Sequence, residues 1–383
     1  VNLPTPDPAL PHLSDVVPAV LAAMGAAGFE SRISLPANIA GACVLLIDGL
    51  GAELLDTHAQ DAPVLAGLRG QTLSVGFPST TAAGLAAVGT GRQSGEHGMV
   101  GYTFRLPGAG VDGSGVMNAL SWRPHPWGDD LRDVVEPERV QPIPTTFERA
   151  ASSGIAVSVV SGAKFTDSGL TRAVLRGGRY IGVHAIGDLA SCVRTAVADG
   201  GFCYGYHADL DLLGHLYGPG SEAWRMQLRQ VDRLVESVVD GLPPDGLLAV
   251  VADHGMVATG PSDAVDVDDH PLLLEGVQAI GGEARARHVY VEDGADHDVL
   301  AAWRATLADR AWVVSRDEAI AAGWFGARIT DDVRPRIGDV VAAARGSAAM
   351  VRRTVEPLES ALIGHHGSLT TAEQRVPLLL AYG

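Results

Sequence analysis

Cysteine is scarce in this chain, with three residues in 383: Cys43, Cys192 and Cys203. They are odd in number, far apart and set in apolar surroundings, and no pair has Cys-x-x-Cys spacing, which argues against a disulfide scaffold. Aromatic residues make up only 5%, so Ala, Val and Leu must fill most of the core. Positive charge is also short: 28 Lys and Arg face 45 Asp and Glu, a formal charge of −17, with a pI near 5.1. A nucleic-acid polymer is not an expected partner, because holding one needs a basic surface. A small charged ester stays open, since bound cations can reverse the local field. Lys164 is the sole lysine, which fits a codon bias towards high GC. No run of about 18 apolar residues occurs, so no membrane span is expected. The opening VNLPTPDPALPHLSDVV lacks a basic stretch followed by an apolar one, which predicts a cytoplasmic protein, or a secreted one if a signal peptide has been removed.

What is present describes a globular chain: 46% hydrophobic and 19% charged residues, with mean hydropathy +0.15. Short apolar runs at residues 42–47, 72–77, 155–160, 202–206 and 247–252 read as buried strands. Residues 186–198 and 222–239 carry apolar side chains at helical spacing, and Ser221 is a plausible N-cap for the second. Strands alternating with helices predict an α/β fold with a mostly parallel central sheet covered on both faces. From about residue 261 to 345 the character changes. This stretch reads as a smaller lobe or cap inserted into a core made of residues 1–260 and 346–383, with the run VPLLLAYG rejoining the sheet. Residues 106–126, rich in Gly and Pro, read as a long loop beside the site.

In such sheets ligands collect beyond the carboxyl ends of the strands, and the polar residues there are few. Asp48 follows CVLLI, with Gly49 free to turn; alone it could be an ordinary helix cap. Asp211 and His215, four apart in DLLGH, can reach one cation from a single turn, with a carboxylate and a neutral imidazole suiting zinc; the plain alternative is a capping Asp and a surface His. Asp253 and His254 end the strongest strand candidate, and their joint use needs the pleat to break there, which Gly255 permits. His365 and His366 add imidazoles near the end of the chain. Three carboxylates and several histidines at strand ends fit two cations with N and O ligands. Phe77-Pro78-Ser79-Thr80-Thr81 precedes a small-residue helix, so Thr81 falls at or near a helix N-terminus, where anions are favoured. It is either an N-cap or, beside a metal that strips its proton, a nucleophile.

In that order, VLLIDGLG, FPSTTAAGLAAVGTG with QSGEHGMVGY, YHADLDLLGHLYGP, VADHGM and GHHG resemble the motifs of the nucleotide pyrophosphatase/phosphodiesterase family of the alkaline phosphatase superfamily. The resemblance implies hydrolysis of phosphodiester or pyrophosphate bonds in small substrates through a phosphothreonine on Thr81. It implies two divalent cations, zinc first and manganese as the alternative, one held by Asp48, Thr81, Asp253 and His254 and the other by Asp211, His215 and His366. Thr81 is preferred to Thr80 because the family's nucleophile lies nine residues before the threonine of a TG pair, here Thr90-Gly91. His366 is preferred to His365 because the family's ligand directly precedes Gly. The chain departs from the pattern at Gly84, where the family has an Asn that holds phosphoryl oxygens. Lys164 is the candidate substitute, against the plainer reading of a solvated lysine. Arg92, Tyr102, Arg105 and His184 are further candidates for the pocket, though a structural or surface place is the simpler expectation for each.

A sulfatase is excluded, because FPSTTAAG contains no C/S-x-P-x-R segment. A phosphonate hydrolase or a phosphomonoesterase would use the same residues. A metal-stabilised binding module that has lost catalysis, with Gly84 as its mark, is the reading from another class. The acidic run of residues 263–269, with His270, lacks the spacing of an EF-hand loop and reads as solvated.

Overall fold

The computed structural model describes residues 3–106 and 115–383. Seven strands form the central sheet. Six come first: β1 (Gly41–Ile47), β2 (Arg69–Ser74), β3 (Val157–Gly162), β4 (Arg179–Val183), β5 (Phe202–His207) and β6 (Gly246–Val251). A smaller sheet follows, built from β7 (Val277–Glu283), β8 (Ala286–Val291), β9 (Ala311–Ser315) and β10 (Val340–Ala344), after which β11 (Arg375–Tyr382) returns to the first sheet. The order in the central sheet is β2-β11-β6-β1-β5-β3-β4. Strands β6, β1, β5, β3 and β4 are mutually parallel, while β11 runs antiparallel between β2 and β6.

The composition of each strand explains its place. In β1, β5 and β6 every residue is buried, as expected where helices cover both faces and no side is left for polar residues. Strand β2, RGQTLS, exposes three of its residues and sits at an edge. Helices α1 (Thr81–Thr90), α2 (Ile186–Ala198), α3 (Asp209–Tyr217) and α4 (Glu222–Val239) pack around the sheet. In α4 the buried Trp224, Leu228, Val231, Val235 and Val238 recur at three and four spacing, and the Ser221 hydroxyl accepts the Trp224 N–H at 3.3 Å. The expected mostly parallel α/β fold is therefore present, and no helix among the described residues is long and apolar enough to cross a membrane.

Three local expectations need correction. The run at 72–77 is a strand only as far as Ser74. Val75 and Phe77 are still buried, 4% and 1% exposed, but beyond the strand: Val75 keeps one main-chain bond, to the Gln374 carbonyl at 2.9 Å, and Phe77 packs in the loop that leads to α1. In the stretch read as a long loop, residues 107–114 lie outside the described residues. The rest forms short strands, Val116–Asn118 and Arg123–Pro124, paired in a small sheet with Thr103–Arg105. The acidic run is not simply solvated either: Ala264–Asp266 pairs with Ala349–Val351, and Asp266 and Asp268 are met by Arg353 and Arg352.

The smaller sheet is antiparallel, in the order β7-β8-β10-β9, with its own apolar cluster around Trp303, Val289, Ile280 and Val340. Two buried ion pairs lead out of it. Arg285 pairs with Glu373, next to β11, and Arg287 pairs with Glu356.

Candidate metal centre and nucleophile

The parallel strands deliver their polar residues to one end of the sheet. The Asp48 N–H continues the ladder by donating to the His207 carbonyl at 3.0 Å, and Gly49, at φ 74°, turns the chain immediately afterwards. That turn brings Asp48 up to α3, where a Cβ on Gly49 would stand 3.1 Å from Asp211. Strand β6 ends at Val251, and Asp253 and His254 follow in a bend, both fully buried. Gly255 makes the bend possible, since a Cβ there would lie 1.9 Å from the Ala372 carbonyl oxygen. His366 arrives from a short pairing of Gly364–His365 with Val257–Ala258.

These distant segments converge. His254 Nε2 lies 3.4 Å from Asp48 Oδ1 and 3.7 Å from Asp253 Oδ2. His215 Nε2 lies 3.2 Å from Asp211 Oδ2 and 3.2 Å from His366 Nε2. Two overlapping donor groups result: Asp48 with Asp253 and His254, and Asp211 with His254 and His366. The His254 and His366 rings stack between them, with centroids 3.6 Å apart.

The donors are prepared in a way that fits cations. His215, His254 and His366 each place Nδ1 against a main-chain carbonyl, those of Gly364 at 2.7 Å, Gly255 at 3.0 Å and Ser79 at 3.0 Å. A carbonyl can only accept, so the proton sits on Nδ1 and the Nε2 lone pair faces the centre, the arrangement of a metal-binding imidazole. The carboxylates match: Asp48 Oδ1, Asp211 Oδ1 and Asp253 Oδ2 are buried with no hydrogen-bond partner, which is costly unless something else meets them. Burial, with Asp253 and Asp211 close by, pushes the Asp48 carboxyl well above the usual range, and burial likewise raises Asp253. Burial also acts to raise Asp211, but His215 outweighs it and holds that carboxyl low. Burial, reinforced by His254, pushes His366 well below the ordinary imidazole value. Three carboxyl groups crowded in a dry site need positive charge to ionise together, so the donor set fits divalent cations.

Thr81 faces this set. Thr80, not Thr81, is the N-cap of α1, yet its hydroxyl does not cap the helix; it donates instead to Glu283 Oε2 at 2.7 Å. Thr81 is the first helical residue, and its Oγ1 lies 3.2 Å from His254 Nε2. The open N–H groups of the first turn lie beside it.

Most of the other sequence candidates fall elsewhere. Gly84 adds nothing to the cavity. Its Cα faces Asp253, and a Cβ there would stand 2.4 Å from the Asp253 Cβ, so glycine lets α1 close on the carboxylate. Lys164 and His184 line a separate hollow of about 260 Å³ with Tyr206, His207 and Asp209; Lys164 does not reach the space before Thr81, because it follows β3, two strands away from β1. Arg92 pairs with Glu96, and Arg105 lies over the Tyr290 ring. His365 lines the cavity before Thr81 but directs Nε2 away, to the Leu362 carbonyl at 3.1 Å. Tyr102 does line the cavity before Thr81, about 240 Å³, with Thr80, His215, His366 and Glu283.

Two residues were not found by sequence reasoning. Tyr206 donates its hydroxyl to Asp48 Oδ2; it opens the stretch YHADLDLLGHLYGP, but nothing in that stretch singles out its hydroxyl as a support for Asp48. Glu283, at the end of β7, faces Thr80 from 203 positions away, and no local pattern marks it. Burial raises its carboxyl to about 8.

Fold and donor set define an α/β protein with a candidate metal centre beside a threonine hydroxyl. The sequence model of the type I phosphodiesterase / nucleotide pyrophosphatase family matches residues 42–369, and the chain belongs to that family. In fold it is similar to murine ectonucleotide pyrophosphatase / phosphodiesterase 5, with TM-score 0.68 and 15% identity over 90% of this chain and 88% of that one. It is similar also to phosphonoacetate hydrolase from Sinorhizobium meliloti 1021, with TM-score 0.63 and 18% identity over 89% of each chain. Phosphopentomutase from Anaeromyxobacter dehalogenans (strain 2CP-C) is 31% identical over 159 residues, covering 40% of this chain and 38% of that protein. The match thus spans about two fifths of that relative's length.

Proposed function

We propose that the chain hydrolyses phosphodiester or pyrophosphate bonds in small substrates through a phosphothreonine on Thr81. In this reading Asp48, Thr81, Asp253 and His254 hold one divalent cation and Asp211, His215 and His366 a second, with zinc preferred to manganese. Residues 261–345 are a lobe inserted into a core of residues 1–260 and 346–383, and Glu283 is its reach into the cavity. The observation that carries the proposal is the Thr81 hydroxyl, 3.2 Å from His254 Nε2, at the residue that the two donor groups share.

Bound cations would supply the charge that lowers the pKa of the Thr81 hydroxyl and offsets charge on the phosphoryl oxygens. Thr81 Oγ1, its proton given up, forms a bond to phosphorus as the bond to the leaving oxygen breaks, and that oxygen departs with a proton from solvent. Water then attacks the phosphothreonine, the P–Oγ1 bond breaks, and Thr81 regains its proton. The first turn of α1 presents N–H groups to the phosphoryl oxygens, a part that falls to the backbone here because position 84 is glycine. Tyr206 steadies Asp48, and the three carbonyls fix the imidazoles.

An inactive threonine-to-alanine variant of murine ectonucleotide pyrophosphatase / phosphodiesterase 5 has been solved with AMP, which supports a threonine nucleophile in a protein of the same fold. A phosphonate hydrolase or a phosphomonoesterase would use the same residues. The metal-loaded protein is therefore to be assayed on a diester, a monoester and a phosphonate, with the diester expected to turn over fastest. Thr81→Ala should abolish turnover while metal analysis still finds the cations; wild-type-like activity in that variant would end the assignment.

A further inference from the structure

The two donor groups are not held in the same way. Asp48 leaves β1, and Asp253 and His254 leave β6, so the first group hangs on two neighbouring strands of the central sheet. In the second, Asp211 and His215 stand one turn apart on α3. His366 follows a pairing of only two residues and itself lies in no helix or strand. An imidazole on such a segment depends on hydrogen bonds for its aim.

Those bonds lead to the smaller sheet. His366 Nδ1 donates to the Ser79 carbonyl at 3.0 Å, and the Ser79 N–H donates back to the Gly367 carbonyl at 3.1 Å. The Ser79 hydroxyl adds a bond to the Ser368 carbonyl at 2.8 Å. The loop of His366 and the loop that runs into Thr80 and Thr81 are thus joined as one piece. It is anchored at Ser368, whose N–H donates to Glu373 Oε1 at 2.9 Å. Glu373 is held in turn by Arg285, Nε to Oε1 and Nη2 to Oε2, both at 2.7 Å, and both side chains are fully buried. Arg285 lies in the turn between β7 and β8, where it also donates to the Ala348 and Gly346 carbonyls. A fork with two bonds fixes an orientation as well as a charge. Buried ion pairs are often no more stabilising than apolar side chains of similar volume, so placement is the better account of this one. We propose that Arg285 and Glu373 are positioning residues for the second cation. Through Ser368 and Ser79 they hold the His366 loop against the loop of Thr81, and so set the affinity of Asp211, His215 and His366 for their ion. This rests on the two-cation reading above and adds to it that the smaller sheet completes the second site.

The test titrates the metal-free full chain with zinc in competition with a chelator, and unfolds the same samples in urea. The wild type should take up two zinc ions per chain, and His366→Ala marks which of the two belongs to the second site. In Arg285→Met, and in Ser79→Ala, which leaves the buried charges in place, that ion should bind about tenfold or more weakly, the loss usual when the support of a metal-binding imidazole is removed. The other ion should bind as in the wild type, and turnover lost at low zinc should return in excess zinc. Arg285→Lys, which keeps the charge without the fork, should fall between. Equal weakening of both ions, or a lowered urea midpoint with both zinc affinities unchanged, gives the pair a structural role only; either overturns the inference and leaves the functional reading standing. Should Arg285→Met fail to fold, Ser79→Ala decides by the same criterion. A wild type that takes up fewer than two zinc ions overturns the two-cation reading and this inference with it.

Discussion

The Tyr206 hydroxyl holds one oxygen of Asp48, which leaves the other, Oδ1, directed at His254 from 3.4 Å and otherwise unpartnered. A ligand held from behind in this way keeps its orientation when the cation leaves, and removing such a support commonly costs about 10–100-fold in metal affinity. Tyr206→Phe should therefore lose metal to a chelator at concentrations about that much lower than the wild type, with its fold intact by circular dichroism; an unchanged chelation midpoint would show that the hydroxyl is idle. The residues gathered at the centre were mostly legible because each follows an apolar run or sits in a distinctive spacing: Asp48 after CVLLI, Asp211 four before His215, Asp253 and His254 after LLAVV. Their supports were not. Tyr206 has the sequence of a core strand, and Glu283 meets Thr80 only because the chain returns from another sheet.

Among the elements, helix α1 shows how a sequence departure is absorbed. All ten of its residues are buried, TAAGLAAVGT, and the small side chains allow it to lie directly on the end of β6. Gly84 is the point of closest approach, with no space for a Cβ beside Asp253. Gly84→Ala should thus displace Asp253 or lift the helix, costing about 1–3 kcal/mol by urea unfolding together with a drop in bound metal. A Gly84→Ala protein of wild-type stability and metal content would mean that the helix is more loosely seated than described. The same element explains why the run at 72–77 misled: apolar residues mark burial, and whether a buried segment pairs as a strand or wraps as a loop depends on its neighbours. Here Ser74 ends the pairing with β11, and the next residues carry Thr80 and Thr81 to the site.

Across the whole molecule, the smaller sheet is tied to the rest by buried charge. Arg287, on β8, bonds to Glu356 and to the Met350 carbonyl, and Glu356 also accepts from His125 at 3.0 Å. Burial by itself would raise the Glu356 carboxyl, but Arg287 and the His125 hydrogen bond outweigh it and bring the value to about 2. The folded value is below the unfolded one, so the pair's contribution is present above about pH 4.5 and is lost as pH falls towards 2. Glu356→Gln leaves Arg287 buried without its partner. It should lower stability at pH 7 by roughly 3–5 kcal/mol and flatten the acid limb of the stability curve between those values, as read by urea unfolding at several pH values; an acid limb as steep as that of the wild type would assign it to other carboxylates. The sequence by itself determined the mostly parallel α/β sheet and the places where polar residues leave β1 and β6, because burial on both faces demands continuous apolar runs and polar residues can follow only where those runs stop. The tertiary structure alone decided which histidine nitrogens face the centre, that Gly84 packs on Asp253, that Lys164 lies in another hollow, and that a glutamate from the second sheet meets Thr80, next to Thr81. Most of those relations join segments far apart in the chain, and no local pattern of side chains records which distant segments folding will bring together.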